Sequence, residues 1–366
     1  MLHDSRVGVT SLSGFTLTPS PALPDSCWIS SPLRWPTVVK KMLIGCSGLV
    51  LILAVVAVVV LYIWGPTYGA AILGRPIFVL PPTPERYAAV VLDTVQQRGV
   101  YAASPEFERA RAAAEQAAGQ AEDIDEIHDE LNAALIAAGG KHSRLLSPEE
   151  MSDYLATSAE QPTVTVQDRI AVATVPAHRL EDDSQVYAET LAYGLEEAIG
   201  QGACVVVVDL RGNTGGDMGP MLGGLSGLLP DGPAMSFVDR HSEQPVVIEG
   251  NSVRGGGSMV GIEGVDKHNL PVAVLVDEMT GSSGEMTMLA FRGLDNARSF
   301  GVPTAGYTTG NMVVTMPDQA QMMLTVVQVK DRTGEIFNDT PIDPDEVTDD
   351  AMDEARNWLG AQRGCA

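Results

Sequence analysis

Between Met42 and Trp64 the chain runs for 23 residues without a charged side chain (MLIGCSGLVLILAVVAVVVLYIW). At about 1.5 Å per residue, a helix of that length crosses a hydrocarbon core of about 30 Å. In such a core a helix is one of few ways to satisfy the backbone, so this stretch divides the chain before any other feature does. Lys40 and Lys41 abut its N-terminal side with Arg34 just ahead of them, and the first cation on the other side is Arg75. That bias predicts a single-pass protein of the cell membrane, with residues 1–41 a cytoplasmic tail and the rest beyond residue 64 extracytoplasmic. A cleaved signal peptide is the competing reading. The roughly 40 residues ahead of the run, and the lack of a small-x-small site after it, argue against that. Residues 65–85, rich in Gly and Pro, read as a linker.

A formal charge of -24 over 366 residues excludes nucleic acid as a natural partner, because phosphate binding needs clustered Lys and Arg. The acidity serves solubility or attracts a cationic ligand. Cys27, Cys46, Cys204 and Cys365 are read as unbridged, although Cys204 and Cys365 would share the outer compartment. No CxxC or His-Glu-x-x-His spacing suggests a metal site, and nothing calls for a cofactor.

Beyond the linker, residues 86–158 read as a helical region. Ser104-Pro105-Glu106 supplies a cap, a pre-set φ and a carboxylate at a helix start. A second helix, over 123–138, carries Ile124, Ile127, Leu131 and Leu135 on one stripe and ends at Gly139-Gly140. A capping box at Ser147–Glu150 opens a third. His142 thus lies between two helix ends. From residue 159 to 348 the pattern alternates strands with helices. Strands are expected at 170–175, 203–210, 271–276, 299–302 and 321–329, and helices at 184–199, 218–229 and 285–291. The run ACVVVVDL (Ala203–Leu210) is that of a central strand covered on both faces. The reading is an α/β fold, a mixed sheet with flanking helices, followed by a C-terminal tail at 349–366. Four glycines within 253–261 read as a mobile loop bordering a cleft.

Two segments carry chemistry. Asp209-Leu210-Arg211-Gly212-Asn213-Thr214-Gly215-Gly216 leaves the central strand and turns toward a helix. It reads as a structural turn, an oxyanion hole of backbone N–H groups, or a phosphate site, though it lacks the GxxxxGK[ST] spacing. Asp209 and Arg211 suit an ion pair that fixes the turn. Thr280-Gly281-Ser282-Ser283-Gly284-Glu285 is a glycine-flanked bend between a strand and a helix. Either serine could serve as a nucleophile or simply as a cap, and Glu285 could bond within the bend. No GxSxG elbow occurs. Among the histidines His142 is best placed as a base, since His128 falls on a charged helix and His178, His241 and His268 in polar, loop-like stretches.

These segments together resemble peptidase family S41, the C-terminal-processing or tail-specific serine peptidases. The matching blocks are GKHSRLLSP (Gly140–Pro148), VVVVDLRGNTGG (Val205–Gly216), VLVDEMTGSSGEM (Val274–Met286), GVPTAGYTTGN (Gly301–Asn311) and VKDRTGEIFNDTPIDPDEV (Val329–Val347). The resemblance is strongest to the nisin-resistance branch, which lacks a PDZ domain. It implies Ser282 as nucleophile, three residues before Glu285, and oxyanion donors at the Ser283 amide and at Gly215 or Gly216. Many relatives use a lysine 25 residues after the serine. Tyr307 stands there, and at a pKa of about 10 it makes a poor base. The branch instead implies His142, which with a pKa of about 6.5 needs no special environment. Asp209, Arg211, Asn213, Glu285 and Tyr307 are then expected to support the turn or line the cleft. The resemblance further implies an extended peptide substrate, and cationic antimicrobial peptides fit both the branch and the acidity. A catalytically silent, membrane-anchored peptide-binding or immunity protein is the alternative.

Overall fold

The computed structural model describes residues 37–156 and 160–362. The chain divides into two compact units, residues 1–55 and 56–366. Helix α1 (Thr37–Leu73) passes from one to the other. Leu49–Leu73 is long and apolar enough to cross a membrane, with mean hydropathy 2.7. Its large side chains from Leu49 to Trp64 are exposed, whereas Gly65, Pro66, Gly69 and Ala70 are buried. The helix therefore runs on into the segment expected to be a linker. There the Gly65 carbonyl accepts from the Ile77 N–H and that of Gly69 from the Arg75 N–H.

Three helices follow, α2 (Pro84–Arg98), α3 (Pro105–Ala118) and α4 (His128–Gly139), the last preceded by a 3-10 turn at Ile124–Ile127. The Thr83 and Ser104 hydroxyls cap α2 and α3, with proline as the first helical residue of each. Their apolar faces meet in one cluster around Tyr87, Leu92, Phe107, Ile127, Leu131 and Leu135. Fully burying a large apolar side chain stabilises by about 1.5–3 kcal/mol, so each member of this cluster contributes appreciably to holding the helices together. Strand β1 (Arg144–Leu146) and helix α5 (Pro148–Ala156) complete it.

The remaining chain forms two sheets. Strands β2 (Thr163–Gln167) and β3 (Ile170–Thr174), helix α6 (Ser184–Gly200), strand β4 (Val205–Asp209) and helix α7 (Met218–Gly224) come first. Next are strands β5 (Gly232–Val238), β6 (Glu243–Glu249), β7 (Ser252–Arg254) and β8 (Val272–Val276). After these come helix α8 (Ser283–Phe291), strands β9 (Ala297–Gly301), β10 (Thr309–Thr315), β11 (Gln321–Asp331), β12 (Ile336–Phe337) and β13 (Glu346–Val347), and helix α9 (Ala351–Gly360). One sheet has the order β13-β9-β8-β4-β3-β2, parallel except for β2. Val206 and Val208 of β4 face α6, α7 and α8, while Val205 and Val207 face α9. This is the double coverage that the unbroken valine run requires.

The second sheet is antiparallel, with β11 paired to β1, β5, β10 and β12, and β6 and β7 extending it beyond β5. Sequence patterning reached only β11 of it. The helical cluster packs on this sheet through Val314, Met322 and Leu324, which fixes the helical region over the β10–β11 hairpin. The glycine-rich stretch at 253–261 lies against the start of α7, where Asp217 Oδ1 accepts from the Ser258 N–H at 3.0 Å. Cys204 is disulfide-bonded, against the expectation of unbridged cysteines, and the other three cysteines lie outside the described side chains.

Candidate active site

Ser282 sits at the turn into α8 with φ 50° and ψ -117°, a conformation that non-glycine residues rarely hold. Its amide donates to Glu285 Oε2 at 2.9 Å. Glu285 is fully buried and gathers three more donors: the Gly306 amide at 2.8 Å, the Tyr307 amide at 2.7 Å and the Thr304 hydroxyl. Burial pushes its carboxyl up, and the four donors oppose that. Glu285 thus binds the serine bend to the 304–307 loop.

The glycine turn interlocks with the same bend. Gly212 donates its amide to Asp277 and Thr280 donates its hydroxyl to the Leu210 carbonyl, each at 3.0 Å or less. Asn213, fully buried, donates to the Val175 carbonyl, accepts the Gly215 amide at 2.9 Å, and offers its carbonyl to the Gly281 amide. Asp209 and Arg211 form a two-pronged ion pair at 2.7 and 2.8 Å, which stiffens the turn from its exposed side. Gly215 holds φ +108°, and a Cβ there would lie 2.7 Å from the Ser282 Cβ, so only glycine lets the two segments meet. His178, expected in a polar loop, is buried with its backbone against Gly215 and Asp217.

The two serines differ. Ser283 is buried and its hydroxyl donates to the Gly216 carbonyl at 2.6 Å. Ser282 lines a cleft of about 250 Å³ with His142, Lys141, Arg144, Thr214, Tyr307 and Met323. The Gly215 amide is engaged by Asn213, whereas those of Gly216 and Ser283 have no hydrogen-bond partner among the described residues.

His142 reaches this cleft from the helical region. The adjacent Ser143 is buried and accepts the Thr325 amide at 2.8 Å, and Arg144 pairs with Met323 as β1 joins β11. The imidazole Nδ1 lies 2.8 Å from the Thr309 hydroxyl, and the Tyr307 ring meets it edge-on at 5.1 Å. Burial lowers the His142 pKa to about 4, with smaller contributions from Arg144 and Lys141. Among the described residues no hydrogen bond joins His142 to Ser282; such contacts often tighten only when substrate is bound. Sequence reasoning missed Thr309, Thr304, Lys141 and Arg144. Thr309 carries no signal within Tyr-Thr-Thr-Gly, while the two cations flank His142 in plain view.

Residues 173–348 match the model of peptidase family S41. The nisin-resistance protein of Lactococcus lactis subsp. lactis is 35% identical over 307 residues, covering 83% of this chain and 93% of that one. The chain belongs to family S41. It is accordingly a serine-type peptidase. A lipoprotein from Streptococcus agalactiae shares its structure with TM-score 0.66 at 32% identity, covering 78% of this chain and 99% of the other. The photosystem II D1 C-terminal processing protease, at 13% identity and TM-score 0.52, covers 77% of this chain and 98% of its own, a likeness of fold alone.

Proposed function

We propose that the chain cleaves extracytoplasmic peptides by acyl transfer, with Ser282 as nucleophile and His142 as general base. The observation that carries this is the convergence of Ser282 and His142, about 140 residues apart in sequence, on one cleft. With its Nδ1 proton donated to Thr309 Oγ1, His142 keeps Nε2 free to take the serine proton. Attack on the carbonyl then creates an oxyanion, for which the unpartnered Ser283 and Gly216 amides are the fitting donors. His142 returns the proton to the leaving amine, and water releases the acyl group in a second cycle. Tyr307 serves as a wall of the cleft and as a packing partner for His142, with no base role.

Helix α1 anchors the enzyme at the membrane with its catalytic unit outside, a reading supported by its apolar length and by the two lysines ahead of the apolar stretch. Cationic antimicrobial peptides are the proposed substrates, on the name of the Lactococcus relative and the charge of -24. The test incubates full-length protein in detergent micelles with such peptides and follows the products by mass spectrometry. New fragments that vanish with Ser282→Ala support the reading, and equal cleavage by both proteins overturns it.

A further inference from the structure

Helix α1 is longer than its proposed span needs. About 20 residues cross a hydrocarbon core, which from Lys41 brings Tyr62 and Trp64 to the outer interface, where aromatic rings settle. The helix runs on to Leu73, and no charged residue follows Lys41 until Arg75. Beyond Trp64 its two faces differ. Gly65, Pro66, Gly69 and Ala70 are buried, whereas Trp64, Tyr68, Ile72 and Leu73 are exposed, Ile72 at 74%. Residues 64, 68 and 72 follow one another at four-residue steps and so share one face. A helix end turned only to water would carry polar side chains there.

The chain then doubles back. The Arg75 amide donates to the Gly69 carbonyl and the Ile77 amide to that of Gly65, so residues 75–77 retrace the helix toward Trp64. A second tie fixes this descent. Pro66 has no N–H for the Tyr62 carbonyl four residues back, and the Arg86 guanidinium donates to it instead at 2.7 Å. The same guanidinium lies 4.0 Å from the centre of the Tyr62 ring and 5.7 Å from that of Phe78. Phe78 is thereby held at the level of Tyr62. Val79 and Leu80 come next and are exposed, Leu80 at 61%. The stretch from Pro76 to Pro84 carries no charge, in a chain whose net charge is -24.

We propose that the outward face of α1 beyond Trp64 and the Val79–Leu80 segment form one surface that rests in the outer leaflet and fixes how the catalytic unit stands on the bilayer. This rests on the reading of α1 as a membrane anchor. The occupant is lipid, because the surface continues the apolar span along the same helix with no charge between them. A span longer than the hydrocarbon core tilts, which lays this face down. Arg86 suits the seam: it satisfies the carbonyl that Pro66 leaves open, at a depth where headgroups accept a cation.

Photoreactive benzoylphenylalanine, placed singly at Val56, Ile72, Leu80 or Leu180 of the full-length protein in phosphatidylcholine–phosphatidylglycerol nanodiscs, reports what touches each position. Mass spectrometry after irradiation is expected to find lipid adducts at Val56, Ile72 and Leu80, and none above background at Leu180, which is exposed between β3 and α6. Val79→Asp/Leu80→Asp is expected to cut the Ile72 adduct by about 10-fold or more, because the two segments enter the lipid together. Its melting temperature in micelles should match that of the wild type, both side chains being exposed. Adducts at Val56 with none at Ile72 and Leu80 overturn the proposal and leave the anchor in place. No adduct at Val56 overturns the anchor reading and the proposal with it. Protein–protein adducts at Ile72 and Leu80 would assign the face to a second copy, and an Ile72 yield unchanged by the double substitution would separate the two segments; either result overturns a single lipid-facing surface.

Discussion

At the scale of single residues, the two serines separate by what their hydroxyls touch. Ser283 is committed to the Gly216 carbonyl, while Ser282 faces the cleft in a strained conformation. Ser282→Ala is expected to fold and to lose nearly all turnover, and Ser283→Ala to retain a measurable rate. A dead Ser283→Ala beside an active Ser282→Ala would reverse the assignment. The base makes its own prediction. A histidine acts as a base only when neutral, and burial lowers the His142 pKa to about 4. The acid limb of kcat/KM therefore lies near pH 4, and the rate stays flat through the range near 6.5 where an unperturbed histidine would titrate. The ordinary value expected from sequence is displaced by burial of a ring packed against Tyr307 and Thr309, a tertiary approach that no local pattern reveals. Thr309→Val should lower kcat/KM by about 10-fold or more, at the low end for misorienting a general base, and Thr309→Ser should restore it. A limb at 6.5, or a wild-type rate in Thr309→Val, removes the orienting role.

Among the elements, the bend before α8 and the loop before β10 are joined through one carboxylate. Glu285→Ala would leave three amides and a hydroxyl without their buried acceptor. At about 1–3 kcal/mol for each unsatisfied group, the loss should be about 3 kcal/mol or more, read as a lower denaturation midpoint with unchanged slope. Turnover should fall further than stability explains, because the Ser282 amide loses its tether. A variant as stable as the wild type would show that the hub is not structural. Sequence revealed this hub only in part. The offset of Glu285 from Ser282 marked a link within the bend, but Thr304, Gly306 and Tyr307 join it through tertiary approach. The parallel strands were legible because Val205–Val208 and Val272–Val276 are apolar without interruption. Strands β5 to β7 were not, since Pro233, Glu243, Gln244 and Pro245 break the apolar run and the strands are held by hairpin pairing.

For the molecule as a whole, the decisive boundary lies between Trp64 and Gly65 in helix α1. Up to Trp64 the large apolar side chains are exposed, as they would be toward lipid. From Gly65 the same helix packs, with Ala70 in the helical cluster and the Gly74 carbonyl accepting the Thr315 amide at 2.8 Å. Two truncations distinguish anchor from structural strut. Removing residues 1–64 discards the apolar span and, among the described residues, the contact of Arg86 with Tyr62, whose carbonyl and ring it meets at 2.7 and 4.0 Å. That protein should stay in solution without detergent and cleave peptides at the full-length rate. Removing residues 1–75 also takes away Ala70, the Gly65 carbonyl that accepts the Ile77 amide, and the Gly74 acceptor. Two hydrogen bonds and one small apolar side chain amount to about 3 kcal/mol, which lowers the melting temperature of a domain this size by about 5 °C. Sedimentation without detergent and thermal unfolding of both proteins check the boundary. A first truncation that aggregates, or a second that melts with the first, would place the end of the anchor elsewhere in α1.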